Sequence, residues 1–325
     1  MTDADDANGE LEMLRRDAWN WVLRMTSGDA TKSDIAELER WCAQSSRHAE
    51  AFAHASGRWR SFGPAIENVV RQDATASPGV RSHRAIGRRA FLGGALAASA
   101  AGAAFAVVRP PLGLWPSVTE LAADYRTAPG EQRQIALADN ISVEMNTRTS
   151  LNIHLASGEG DRIELIAGEA AVATRSQMIE VTAGNGKALA NIAKFNIRYD
   201  GPNVCVTCLD GLVEVMQQGR SMAIKRSQQI TYSAQGLGQM MTVDAAVVTG
   251  WREGDLYFQD EPLSRVIDEV NRYRRGRIVL MNDTLAQRRF TARFKLDRLE
   301  VVVAQLQATF GARVTSLPGG VVLVS

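Results

Sequence analysis

The chain is poor in the residues that carry out chemistry. Three cysteines among 325 residues do not make a disulfide framework. Of four histidines only His154 lies beyond residue 83, which leaves little there for metal binding or acid–base work. His48 and His54 are six apart, off the i, i+4 spacing that would put both on one helical face. No GxGxxG, Walker loop, HExxH or GxSxG occurs. An excess of one charge is lacking too. The formal net charge is +1, and residues 1–90 carry 13 acidic and 13 basic side chains. No basic field exists to hold DNA or RNA. These absences argue against an enzyme, a cofactor and a metal centre, and leave a protein that works by contacts.

What the chain does have is one long apolar run. Phe91 to Val108 is 18 residues without a charge. As a helix at about 1.5 Å per residue it would cover roughly 27 Å, close to the hydrocarbon thickness of a bilayer. Rich in alanine and glycine, it inserts weakly for a spanning segment, and a buried core helix is the alternative. Arg81, Arg84, Arg88 and Arg89 precede it and only Arg109 closely follows. Positive charge stays on the cytoplasmic side, so the expected arrangement is a single pass through a bacterial inner membrane, with residues 1–90 inside and 110–325 outside. The pair Arg88 and Arg89, followed by Ala90, Phe91 and Leu92, also matches a twin-arginine export signal.

The expected organisation is a cytoplasmic helical domain (1–62), a linker (63–90), the span (91–108), a second linker (109–124), a β-rich periplasmic domain (125–245) and a small α+β domain (251–325). In the first, Leu11, Leu14, Ala18, Trp21 and Met25 form a helical stripe. Thr26 to Asp29 breaks it, and Thr31 or Ser33 is placed to cap a second helix through Ile35, Leu38, Trp41 and Cys42. Ser45 or Ser46 would cap a third, using Ala49, Phe52, Ala53 and Trp59. Four of the six tryptophans lie here. By spacing, Trp21, Trp41 and Trp59 read as core, while Trp19 falls off the stripe and is the better partner contact.

Ala18-x-x-Trp21, Gly28, Leu38-x-x-Trp41, His48-x-x-Ala51-Phe52 and Trp59 together resemble the N-terminal domain of FecR-type regulators. The resemblance implies that this domain binds an extracytoplasmic-function (ECF) sigma factor, with Trp19, Trp21, Trp41, Phe52 and Trp59 as candidate contacts.

From Tyr125 onward the pattern changes to period two. Arg162–Ile166, Ile179–Thr182, Phe195–Tyr199 and Val204–Cys208 are strand-like, separated by Gly-, Asn- and Asp-rich turns. An antiparallel sandwich or roll is expected. Cys205 and Cys208 are three apart, so on a strand they point to opposite faces. Cys208 shares its face with Val204 and Val206 and reads as a small core hydrophobe rather than half of a redox pair. Tyr125-x-Thr127-x-x-Gly130-Glu131-x-Arg133, then Leu137-Ala138-Asp139, Gly168-Glu169-Ala170 and Asp210-Gly211-Leu212-Val213-Glu214-Val215, again resemble FecR-type proteins. Some members self-cleave at a Gly-Thr bond. Here the equivalent stretch is Ile192-Ala193-Lys194-Phe195 and no Gly-Thr exists, so no self-cleavage is expected.

The last segment predicts a β-α-β-β-α-β order, a small sheet with two helices on one side. Its strands are 255–258, 277–281, 290–294 and 321–324. Leu263, Val266, Ile267, Val270 and Tyr273 stripe the first helix; Asp297 and Glu300 would cap the second. It resembles the secretin and TonB short N-terminal (STN) fold. In the family that fold meets the signalling domain of a TonB-dependent outer-membrane receptor, and the resemblance implies the same partner and a link to iron–siderophore uptake. Arg272, Arg274, Arg275 and Arg277 read as a solvated face, with a receptor contact as the sharper possibility. A rival reading, a membrane-tethered helix-turn-helix DNA binder, lacks a basic recognition helix. Arg47, Arg58 and Arg60 sit at the ends of an alanine-rich third helix.

Overall fold

The computed structural model describes residues 3–26, 30–56, 116–138, 140–154, 161–317 and 320–325. It divides into two units, one of Met1–Val118, Val279–Asp283 and Ser316–Ser325, the other of Thr119–Ile278 and Thr284–Thr315.

The N-terminal helices form because apolar residues recur on one face. The first runs Asp3–Thr26, starting a turn and more before the expected Glu10. Leu14, Ala18, Val22 and Met25 are its buried positions, spaced to lie on one side. The second, Lys32–Ala43, is held open at its start by Thr31 in a reciprocal capping box. Asp34 donates its backbone N–H to Thr31 Oγ1 at 3.3 Å, and Thr31 donates its own to Asp34 Oδ2 at 2.7 Å. Residues 46–56 form the third helix. Ile35, Leu38, Ala49, Phe52 and Ala55 complete this core.

The expected architecture needs correction at the membrane. Among the described residues no helix is long and apolar enough to cross a bilayer. The 24-residue helix Asp3–Thr26 has the length but carries charged side chains throughout. The run 91–108, Arg88 and Arg89 lie outside the described residues. The fold is therefore a small helical N-terminal region, a large β domain and an α+β C-terminal segment.

Among the described residues thirteen strands make up the β domain: β1 (Tyr125–Arg126), β2 (Arg133–Ala138), β3 (Ile141–Met145), β4 (Ser150–His154), β5 (Asp161–Thr174), β6 (Ile179–Ala183), β7 (Gly186–Ala190), β8 (Ala193–Asp200), β9 (Asn203–Gln217), β10 (Arg220–Lys225), β11 (Gln228–Ser233), β12 (Gly236–Leu237) and β13 (Met241–Thr242). They form two layers that share the long strands β5 and β9. The first half of β5 pairs with β4 and β6, and its second half with β3 and β8. Likewise β9 pairs early with β8 and β11 and late with β7 and β10. Both strands change partners at a glycine. Gly168 has φ +95° and Gly211 φ +81°. A Cβ at Gly168 would lie 2.5 Å from Thr149 Cα, and one at Gly211 2.3 Å from the Ile192 carbonyl oxygen. Only glycine fits either corner. The β5–β6 pair is parallel, against the antiparallel expectation.

Between the layers lies the core, with Phe195, Ile197, Val204, Val206, Cys208, Ile230 and Tyr232 among its buried members. Burying a side chain of this size contributes about 1.5–3 kcal/mol, so the alternate positions of β8, β9 and β11 fix the register of those strands.

In the C-terminal segment, β14 (Asp255–Pro262) pairs antiparallel with β16 (Arg289–Lys295). A separate three-stranded sheet has the order β15 (Arg277–Leu280), β18 (Val321–Val324), β17 (Val314–Leu317). Two small sheets thus replace the single sheet expected. The added strand β17 was illegible because Val314 and Leu317 are its only apolar residues, and pairing with β18 makes it a strand. The helix Leu263–Tyr273 buries all five stripe residues. The second helix, Val301–Phe310, is entered through a 3-10 turn at Leu296–Arg298, and Glu300 makes no side-chain cap. The expected cap at Asp297 is therefore corrected.

Candidate functional site

Two places bring the sequence's candidate residues into view. The first is the surface of the N-terminal helices. Leu14, Ala18, Val22, Met25, Leu38 and Phe52 fill that core, and Trp19, Trp21 and Trp41 stay half-buried. Trp21 carries the Arg24 guanidinium 5.2 Å from its ring centroid. Arg24 also pairs with Asp34 and, at 3.3 Å, with Glu37, tying the first helix to the second. Trp41 meets the His48 ring edge-on at 4.8 Å, and His48 Nδ1 lies 2.8 Å from Ser45 Oγ. Phe52 is wholly buried and is a core residue rather than a contact. Trp59 lies outside the described residues. Cys42 is half-buried beside these groups, and burial, with Glu39 nearby, pushes its thiol up to about 11.

The second place is a cleft of about 830 Å³ between the β domain and the segment from Trp251 to Tyr273. Its floor is one face of a sheet. Asn196 and Arg198 on β8, Cys205 and Thr207 on β9, and Gln229 and Thr231 on β11 line it, alternating with the core residues named above. Cys205 and Cys208 accordingly stand on opposite faces, and burial raises both thiols. A reactive pair would need the opposite shift.

At one end of the floor sits a buried ionic cluster. Glu169 accepts at Oε1 from Asn196 Nδ2 (2.9 Å) and at Oε2 from Asn146 Nδ2 (2.9 Å) and Arg272 (3.0 Å). The guanidinium of Arg272 also reaches Glu269 at 2.6 Å, and Glu269 pairs with Arg198 at 2.8 Å. Arg198 in turn pairs with Asp200. Tyr273 OH lies 2.7 Å from Asn146 Nδ2. Around the cluster, Thr147 Oγ1 donates to the Arg272 carbonyl (3.0 Å), Gln132 to that of Trp251 (2.7 Å) and Arg148 to that of Arg274 (3.2 Å). Arg252 adds an ion pair to Glu144.

Burial opposes the charge on Glu269, but the Arg272 and Arg198 guanidiniums outweigh it and hold that carboxyl below the usual range. Burial likewise works against the charge on Arg272, and Glu269 and Glu169 overcome it. Burial pushes the Tyr273 phenol up, with Glu169 adding to the effect. Every one of these shifts moves its group away from neutral pH, whereas a poised acid or base would move toward it.

Arg272 is therefore corrected from a solvated face to the centre of a buried network, its side chain 12% exposed. Arg275 and Arg277 are exposed and Arg274 is half-buried. Spacing alone had no way to single out Arg272. The one signal was the Gly168-Glu169 pair, a forced glycine followed by an acid that then has to find a partner.

Known protein families are similar to two stretches of this chain. The model described as FecR protein matches residues 123–214. Over that stretch this chain is similar to FecR proteins. A second model, a domain of unknown function (DUF4880), matches residues 16–57, the helical region. The FecR match thus holds both corner glycines, Glu169 and the cleft floor on β8 and β9. Two crystal structures of a candidate anti-sigma factor from Parabacteroides distasonis ATCC 8503, at 1.65 and 2.50 Å resolution, are similar to this chain at 23% identity. The first similarity covers 62% of this chain and 97% of that one with a TM-score of 0.54. For the second the figures are 62%, 96% and 0.53. At such identity the likeness is one of fold. No curated protein matches the chain.

Proposed function

We propose that this FecR-type chain is a sigma-factor regulator of the anti-sigma kind, and that its N-terminal helices bind an ECF sigma factor. The observation that carries the reading is the placement of Trp19, Trp21 and Trp41. Three large aromatics stay half-buried at the edge of the core formed by the described helices. Aromatics left at a surface in this way are the common anchors of protein interfaces. The family matches at 16–57 and 123–214 support the same reading.

The finer part of the proposal concerns the signal. The C-terminal segment would meet the signalling domain of a TonB-dependent outer-membrane receptor, in response to a ferric siderophore or a similar ligand. With Arg272 buried, Arg275 and Arg277 are the exposed arginines of that run. They would steer association rather than supply most of its energy.

A two-hybrid screen of the full chain against the ECF sigma factors of the source genome tests the first part. One sigma factor should bind, and Trp21→Ala with Trp41→Ala should abolish the signal while Cys42→Ser leaves it. A screen in which no sigma factor interacts refutes the reading. For the second part, Arg275→Glu with Arg277→Glu should weaken capture of the receptor's signalling domain in a salt-dependent way.

A further inference from the structure

Arg24 sits where two helix ends meet. It lies in the last turn of the helix Asp3–Thr26, and Asp34 lies in the first turn of the helix Lys32–Ala43. A cation at a helix C-terminus and an anion at an N-terminus each complement the local backbone dipole. The fold joins these two charges in an ion pair.

Asp34 can hold the guanidinium because its own carboxylate is fixed. Its Oδ2 accepts from the Thr31 backbone N–H at 2.7 Å and from the Thr31 hydroxyl at 2.8 Å, which leaves Oδ1 for Arg24. The Asp34 side chain is 8% exposed. Burial opposes its charge, but the Thr31 hydrogen bonds and Arg24 outweigh burial and keep the carboxyl below its ordinary value. Glu37, three residues on, takes Arg24 Nη1 at 3.3 Å. Two carboxylates of one helix thus grip a guanidinium of the other, and the planar fork of arginine is suited to reaching both.

That grip also fixes an aromatic ring. The guanidinium carbon of Arg24 lies 5.2 Å from the Trp21 ring centroid, within cation–π range. Trp21 is only half-buried, and side chains at a surface change rotamer readily. Here the ring lies against a cation that is tied to the neighbouring helix. Asp34 and Glu37 balance the charge of Arg24, so this corner offers a partner the indole rather than a bare cation.

We propose that Arg24 is a positioning residue: anchored by Asp34 and Glu37, it holds the Trp21 ring in the orientation that docks the partner. The proposal rests on the reading of Trp21 as a sigma-factor contact. A side chain ordered beforehand loses less freedom on association, so the benefit appears as affinity.

The test uses the full chain labelled with 15N-tryptophan, in which the indole N–H of Trp21 is assigned with Trp21→Phe. In Arg24→Met, which keeps the aliphatic stem, the heteronuclear NOE of the Trp21 indole should fall while that of Trp41 holds. The sigma factor recovered from the two-hybrid screen should bind this variant about three- to tenfold more weakly, the span for one side chain that must be ordered on association. Arg24→Lys keeps a cation beside the ring and should recover part of the loss. In a Trp21→Ala chain, Arg24→Met should change affinity by less than about twofold. A plain tie between helices would cost the same in both backgrounds. Three results would overturn the proposal: an unchanged Trp21 NOE in a folded Arg24→Met chain, unchanged affinity in that chain, or equal losses with and without Trp21. Should Arg24→Met fail to fold, Glu37→Gln loosens one of the two anchors, and its Trp21 NOE decides instead. Intact binding by Trp21→Ala would sink the docking reading and the proposal with it, whereas an unmoved NOE would sink the proposal alone.

Discussion

Arg272 offers the sharpest test of how the C-terminal segment is held. Its guanidinium reaches Glu269 at 2.6 Å and Glu169 at 3.0 Å, with 12% of the side chain exposed. Arg272→Met keeps the aliphatic bulk and removes the charge. Glu269 would retain Arg198 at 2.8 Å. Glu169, only 4% exposed, would be left with two asparagine amides and no nearby cation in direct contact. Removing one partner of a buried pair costs about 3–5 kcal/mol. Two charge-assisted hydrogen bonds at about 1.5–3 kcal/mol each bring the same range from the other direction. The assay is urea unfolding of the full chain, with hydrogen exchange read in β3, β5 and the helix Leu263–Tyr273. Exchange in those elements should rise together. Adding Glu169→Gln removes the stranded charge, so the double variant should cost less than the sum of the singles by at least about 1 kcal/mol. A loss below about 1 kcal/mol for Arg272→Met, or strict additivity in the double variant, would refute the argument that the cluster acts as one electrostatic unit.

Further outcomes follow from the same geometry. Arg293 and Lys295 hydrogen-bond Asp255 and hold its carboxyl at about 2 instead of 3.8. The depressed value means that this contribution is present above about pH 4 and is lost as pH falls toward 2. Acid melting of the β14–β16 pair should flatten over that window in Asp255→Asn. Gly168→Ala places a Cβ 2.5 Å from Thr149 Cα at φ +95° and should cost about 2 kcal/mol or more in thermal unfolding. Thr31→Ala removes the hydroxyl of the capping box and should cost about 1 kcal/mol of helix stability by circular dichroism. The raised thiol of Cys42 predicts slow alkylation by iodoacetamide at pH 8, speeding up as pH approaches 11.

Local pattern carried much of the fold. The period-two alternation of Phe195–Tyr199 and Val204–Cys208 names the buried face correctly, because neighbouring side chains on a strand have no choice but opposite sides. The stripe Leu263 to Tyr273 is equally local, and the structure chooses Thr31 of the two caps, Thr31 and Ser33, that the pattern allowed. The FecR resemblance stood on short ordered signatures, and two of their glycines, Gly168 and Gly211, have a reason in the strand corners. Trp21 and Trp41 were read as core and are only half-buried, since helical spacing reports a face but not how far the facing elements close over it. The apolar run 91–108 stood out by composition alone, and no described helix answers to it.

Contacts between residues far apart in the chain were beyond any such reading. Asn146 and Tyr273 are 127 positions apart, and Glu169 and Arg272 are 103. Nothing in either local pattern announces that they meet. On an open sheet the polar face of β8, β9 and β11 would meet water. Packing the Trp251–Tyr273 segment over it made that surface a cleft, and burial then turned ordinary asparagine, arginine and tryptophan side chains into groups that need a partner. The sequence by itself determined which residues face inward along each element, because backbone periodicity is local. The tertiary structure decided which polar residues lost their water, because desolvation depends on what is laid on top.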